Sequence, residues 1–149
     1  MRIERTDSTN ENFVRLVKLL DADLAERDGG DHAFYAQFNT IDHIKHVVVV
    51  FEGDRPVGCG AIKAYDSKTM EIKRMYTVRE NRGKGVATVV LRELERWAAE
   101  LSCLHCVLET GKRQPEAIAL YKKNGYTAIP NYGQYADVEN SVCLKKDIG

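Results

Sequence analysis

The sequence predicts an α+β fold in which a mixed, mostly antiparallel central sheet is flanked by helices. Three observations carry that expectation. Strand-like runs at His46 to Phe51, Val57 to Tyr65 and Met70 to Val78 follow one another across short turns, as in an antiparallel meander. Apolar residues recur at spacings of three and four on both sides of that meander, which places helices before and after it. A glycine-containing stretch, Arg82-Gly83-Lys84-Gly85-Val86-Ala87-Thr88, joins its last strand to a long helical run.

In order, Arg2 to Arg5 reads as a short first strand, and Asn10 to about Glu26 as an amphipathic helix carrying Phe13, Leu16, Val17, Leu20 and Leu24. Asp28-Gly29-Gly30-Asp31 ends it, and His32 to Asn39 is expected to be a second short helix. Gly53-Asp54 turns the first hairpin of the meander, and Asp66-Ser67-Lys68 the second. The helix after the loop puts Val86, Val90, Leu94, Trp97 and Leu101 on one face, with Arg92, Glu93, Glu95, Arg96 and Glu100 mostly elsewhere. His105 to Glu109 is a short buried strand and Thr110 to Gln114 a polar loop. Pro115 opens a helix that Gly125 closes after Lys122-Lys123. Tyr126 to Ile129 and Ser141 to Lys145 are the last strands, joined by a Tyr- and Gly-containing loop, Pro130 to Asn140.

The chemistry concentrates at the strand-to-helix loop. Two glycines let the backbone bend so that successive N–H groups face one anion, and the helix N-terminus adds its partial positive charge. Arg82 and Lys84 contribute full charges. Strand, loop and helix in that order favour a phosphate or pyrophosphate site over a bare turn. The Walker A spacing is absent. A dinucleotide fold would want a third glycine where Thr88 stands, and a βαβ series longer than the remaining chain allows. Glu109 does stand where a ribose-binding acid would, so an oxidoreductase remains the rival reading.

At 149 residues the chain, 1–149, is expected to form one domain with a real core. Lys+Arg and Asp+Glu are equal at 22 each, which gives no electrostatic reason to expect nucleic acid or an acidic membrane as partner. No long apolar run or signal-peptide core occurs, so a cytoplasmic location is expected. Of the four cysteines, Cys59 and Cys143 lie in apolar strand-like runs as small hydrophobes. Cys103-Leu-His-Cys106 is half a zinc pattern without a second half, and no metal is expected.

The order of elements and three local motifs resemble the GNAT superfamily of N-acetyltransferases, which use acetyl-coenzyme A. Arg82-x-x-Gly85-x-Ala87 is similar to that family's pyrophosphate motif, [Q/R]-x-x-G-x-[G/A]. Glu71-Ile72-Lys73-Arg74-Met75-Tyr76 looks like its fourth strand, and Ala117 through Tyr126 like its late helix and following turn. The likeness covers nearly everything from residue 46 onward. It implies that the fourth and fifth strands, Met70–Val78 and His105–Glu109, splay apart to admit the pantetheine arm.

The resemblance also implies roles. Backbone groups of Met75, Tyr76 and Thr77 would meet the pantetheine amides and polarise the acetyl carbonyl. Arg82, Gly83, Lys84, Gly85, Val86, Ala87 and Thr88 would hold the pyrophosphate. Gln114, seven residues before Tyr121, stands where the family commonly has a cofactor-contacting Asn; it also reads as an N-cap. Tyr121 matches the position whose phenol protonates the CoA sulfur, and that reading is favoured over a core aromatic beside Ala117 and Ile118. Glu109 is favoured as general base over Glu71, since family members place a base at either point. Each also reads as a strand-edge charge.

Acceptor recognition is expected from the early helices and late loop, with Asp31, His32, Tyr35, Asn39, Tyr132 and Tyr135 as candidates. Arg74 either binds a carboxylate or alternates outward beside Lys73. The expected acceptor is a small primary amine or amino-acid-like molecule. A peptide or protein N-acetyltransferase and a non-catalytic acyl-CoA-binding module stay open, as does a homodimer.

Overall fold

Asn10 starts the first helix. Its side-chain oxygen accepts the backbone N–H groups of Asn12 at 2.9 Å and Phe13 at 3.1 Å, satisfying donors that the first helical turn leaves over. The computed structural model, which describes residues 1–28 and 43–149, places β1 at Arg2–Thr6 and helix α1 at Glu11–Asp28. The helix expected over His32 to Asn39 lies outside the described residues. The meander follows as β2 (His46–Glu52), β3 (Arg55–Asp66) and β4 (Thr69–Thr77). The turn between β3 and β4 is closed by the Asp66 carboxylate, which accepts the Lys68 N–H at 2.9 Å. Helix α2 (Val86–Glu100), β5 (His105–Gly111), helix α3 (Pro115–Lys123), β6 (Thr127–Ile129) and β7 (Ser141–Asp147) complete the order. This is the α+β arrangement that the sequence predicts.

The seven strands form one sheet in the order β1-β2-β3-β4-β5-β7-β6. Every neighbouring pair is antiparallel except β4 and β5, which run parallel. β2 is buried on both faces, which explains its unbroken apolar run. Val47, Val49 and Phe51 join Cys59 and Ala61 against Phe13, Leu16 and Val17 of α1. Val48 and Val50 face the other way, into a larger core with Ile62, Val90, Leu91 and Leu94. Gly60 lets α2 settle on the sheet: a Cβ there would stand 2.5 Å from Met75 Sδ and 2.8 Å from side chains of Leu94 and Val90.

One face of α2 differs from expectation. Its buried stripe runs through Val86, Val90, Leu91, Leu94 and Ala98, while Leu101 is exposed past the helix end. Glu95, expected on the solvent side, is buried within that stripe. Its carboxylate is fully engaged: Oε2 accepts the Tyr126 hydroxyl at 2.8 Å and Oε1 the Lys146 ammonium at 2.8 Å. A buried charge persists only with such partners, and these come from beyond the helix, where periodicity cannot see them. Among the described residues, no helix is long and apolar enough to cross a membrane.

Candidate active site

The parallel pair opens after three residues. β4 and β5 are in register at Thr69–His105, Met70–Cys106 and Glu71–Val107, and then part. Beyond that point β4 stays with β3 as far as Thr77, and β5 stays with β7 as far as Gly111. The splay is therefore held open by each strand's other neighbour. A bulge lies on its wall: Cys59 pairs with Tyr76 and Ala61 with Lys73, so Arg74 and Met75 together oppose Gly60. Arg74 occupies the left-handed region there, at φ 59°.

Two cavities meet in the splay. The wider, about 540 Å³, runs from the Met75–Thr77 backbone along Arg82, Gly83, Gly85, Val86, Ala87 and Thr88. The narrower, about 130 Å³, is a recess between Glu71–Met75 on one side and Leu108–Gly111 on the other. Leu20, Met75, Gln114, Ala117 and Tyr121 line both, so they are one groove with two ends.

At the wide end, Gly83 and Gly85 have φ of 78° and 83°, values that side-chain-bearing residues rarely adopt. Gly85 is the N-cap of α2, so the first N–H groups of that helix open toward the groove. The loop is braced from behind. Arg82 Nε donates to the Thr77 carbonyl at 2.9 Å, and buried Asn81 bridges Glu52 (2.9 Å) and Arg55 (2.6 Å). The Arg82 guanidinium also lies over the Tyr76 ring and reaches Asp23 of α1 at 3.4 Å. Lys84 is exposed and is not part of the groove lining. Gln114 sits at the N-cap position of α3, makes no side-chain cap bond, and lines both ends of the groove.

The narrow end is built from side chains. Tyr121, on the groove side of α3, is buried, and its ring meets Tyr126 edge-on with centroids 5.8 Å apart. Burial, and then the Glu109 charge, push its phenol well above the usual tyrosine range, so it stays protonated at neutral pH. Glu109 Oε2 accepts the Ser141 hydroxyl at 2.6 Å. Glu71 Oε2 accepts the Tyr132 hydroxyl at 2.6 Å, and its Oε1 lies 3.7 Å from Lys73 Nζ. Tyr135 lines the recess, whereas Tyr132 stands behind it, bonded to Glu71 and edge-on to the Tyr135 ring. Burial raises both phenols, and neighbouring carboxylates raise them further.

Arg74 does not alternate outward. The bulge turns it inward, its side chain is 3% exposed, and its guanidinium pairs with Asp21 of α1 at 3.2 Å. Asp31, His32, Tyr35 and Asn39 fall outside the described residues. Among the described residues, no cluster of His, Cys, Asp or Glu is arranged to hold a metal ion. Cys59 and Cys143 are buried as expected, and burial pushes the Cys59 thiol up to about 12. Sequence reasoning misses Ser141, Asn81, Asp21 and Asp23. Their partners are set by strand register and helix docking, and no local motif announces them.

A splayed parallel pair, a phosphate-type loop and a protonated tyrosine thus share one groove. The model of the Acetyltransferase (GNAT) family matches residues 13–126. The chain belongs to the GNAT family. Among GNAT relatives it is similar to the uncharacterized N-acetyltransferase YsnE of Bacillus subtilis, 34% identical over 66% of this chain and 66% of the relative. The stretches aligned with that protein and with YjcF of the same organism (64%) fall just short of two thirds of their lengths. An IAA acetyltransferase of Azospirillum brasilense is 29% identical over 98% of this chain and 97% of its own. A Klebsiella pneumoniae structure, assigned as an acyl-CoA N-acyltransferase, superposes with a TM-score of 0.83 at 27% identity over 99% and 97% of the two chains. An Elizabethkingia anophelis GNAT structure with acetyl-CoA bound shares the fold at a TM-score of 0.70 and 14% identity, over 98% and 97% of the two chains.

Proposed function

We propose that this chain, with residues 1–149 acting as one acetyltransferase domain, moves the acetyl group of acetyl-CoA to a primary amine by direct attack. The observation that carries the reading is the continuity of the groove. Its wide end has the features of a pyrophosphate cradle, its narrow end holds two carboxylates, and Tyr121 lines the junction. Family membership and the acetyl-CoA bound in the E. anophelis structure support the choice of cofactor.

The residues present fit that cofactor. Positive-φ glycines, the α2 N-terminus and Arg82 suit the pyrophosphate, and the inner edge of β4 at Met75, Tyr76 and Thr77, beyond its pairing with β5, suits amide groups of a pantetheine arm. Gln114 stands between the two ends. When bound, acetyl-CoA supplies an acyl carbon activated as a thioester. A backbone donor of the Met75–Thr77 segment stabilises negative charge on the carbonyl oxygen as the amine attacks. Glu109 takes the amine's proton, with Glu71 as the other candidate. Tyr121 gives its phenolic proton to the departing sulfur. One C–N bond forms and one C–S bond breaks. The neutral amine's nitrogen loses one proton, to Glu109, and the sulfur gains one, from Tyr121. The proton that Glu109 later releases restores the phenol.

The acceptor is a small amine or an amino-acid-like molecule. The recess volume of about 130 Å³ favours a small group, and Arg74, already paired with Asp21, stands in its wall. Tyr135 borders the recess, and Tyr132 orients Glu71. The test is thiol release from acetyl-CoA with spermidine, phenethylamine, glutamate, lysine, glucosamine and a peptide with a free N-terminus. Turnover with a small amine is expected. Acetylation of the peptide alone would move the chain to a peptide N-acetyltransferase, and CoA binding without thiol release to any amine would make it a binding module.

A further inference from the structure

The Glu109 carboxylate has a built support that comes from the far end of the late loop. β5 and β7 pair with Glu109 opposite Cys143 and Gly111 opposite Ser141. Residues 141 and 143 project to the same sheet face, which makes Ser141 the diagonal neighbour of Glu109 on that face. Ser141 is itself buried, and its hydroxyl donates to Glu109 Oε2 at 2.6 Å. Its own position is fixed before it acts on the glutamate. The Asn131 amide donates to the Ser141 carbonyl at 3.0 Å and to the Val138 carbonyl at 3.1 Å, and the Ser141 N–H donates to Val138 O at 3.1 Å. Lys112 N–H closes the same corner on the Asn140 carbonyl at 2.8 Å.

We propose that Ser141 is the positioning residue of Glu109: its hydroxyl anchors Oε2 and orients the carboxylate that receives the amine's proton. The inference rests on Glu109 as the base in the function proposed above. Glu71 is held differently. A phenol engages one of its oxygens and the Lys73 ammonium approaches the other, so a cation already stands beside the oxygen that would take the amine's proton. Glu109 is instead engaged by the neutral Ser141 hydroxyl.

Among the described residues, the groups facing Glu109 include Tyr121 from α3, Tyr135 from the late loop and Cys143 from β7. Glu71, Lys73 and Arg74 face it across the recess, with Asp21 of α1 paired to Arg74. A hydroxyl that donates to a carboxylate favours its charged form, so losing it moves the titration midpoint to higher pH.

The experiment is carried out on the full chain labelled with 13C-glutamate, with the Glu109 Cδ resonance assigned by its loss in Glu109→Gln. In Ser141→Ala the Cδ midpoint is expected to move to higher pH, and kcat for the fastest amine of the panel to fall about tenfold, the size of one lost hydrogen bond to a charged group. Ser141→Thr, which keeps the hydroxyl, should return both toward wild type. If Ser141→Ala does not fold, Ser141→Cys, a weak donor of similar volume, takes its place with the same expected shift. A midpoint unchanged in the folded variant overturns the proposal. Wild-type turnover by Glu109→Gln overturns instead the assignment of the base, while the midpoint, which needs neither cofactor nor turnover, still reports whether Ser141 holds the carboxylate.

Discussion

The two ends of the groove are made in opposite ways. In the proposed reading the wide end works chiefly through backbone N–H donors of one consecutive loop, and the shape of that loop depends on two glycines and one helix N-terminus. The narrow end gathers Glu71 from β4, Glu109 from β5, Tyr121 from α3, Ser141 from β7 and a tyrosine-bearing loop, and its working groups are side chains. A backbone site tolerates changes of side chain and fails when φ is constrained. A side-chain site tolerates changes in the loop and fails with the loss of a single proton or hydroxyl.

The largest expected effects strike the narrow end. General acid–base help contributes roughly 10²–10⁴-fold, so Glu109→Gln and Tyr121→Phe should each lower kcat within that range while leaving CoA affinity, measured by calorimetry, nearly unchanged. Glu109→Gln should also remove the low-pH limb of the kcat/KM profile. Should Glu71→Gln be the variant that erases that limb, the base belongs on β4.

Gly85→Val is the converse test. Its φ of 83° becomes strained by about 1–3 kcal/mol, and the helix start must shift to relieve it. Among the described residues no neighbour lies within 4 Å of the added Cβ, so the backbone strain dominates the result. CoA binding should weaken by about 100-fold with the circular dichroism of the helices retained. Normal CoA affinity in this variant would break the contrast between the two ends, because the wide end would then not depend on its backbone.

Smaller effects lie behind the groove. Tyr126→Phe keeps the ring against Tyr121 but takes the hydroxyl from buried Glu95, and should cost about 1–3 kcal/mol in denaturant unfolding. Its CoA affinity should not move. The smallest expected change is Asn10→Ala, which removes the cap of α1 far from both ends and should cost about 1 kcal/mol of stability with kcat unaltered. A drop in kcat there would mean that α1, through Leu20 and the Asp21–Arg74 pair, governs the recess more tightly than its packing suggests.

The wide end is legible in the amino-acid sequence, and so is most of the scaffold that carries it. Turn chemistry at Gly53-Asp54 and Asp66-Ser67-Lys68, helical spacing and the Pro115 and Gly125 boundaries are local signals. They place the strands and helices of the described residues to within two residues of the observed limits. The phosphate-type loop is legible for the same reason, since its geometry is set by glycines adjacent in the chain. The splay itself follows from family resemblance, because no local signal says where two parallel strands part.

What only the tertiary structure decided is which distant side chains meet. Glu95 reads as a surface charge along its helix and is buried because Tyr126 and Lys146 arrive from other elements. Arg74 reads as an alternating strand residue, yet one extra residue in the β3–β4 ladder turns it inward toward Asp21. Ser141 carries no motif at all and becomes Glu109's partner through the register of β5 with β7. Backbone conformation follows from residues that are neighbours in sequence. The engagement of a polar side chain follows from sheet register and helix docking, and these are settled by the whole core at once.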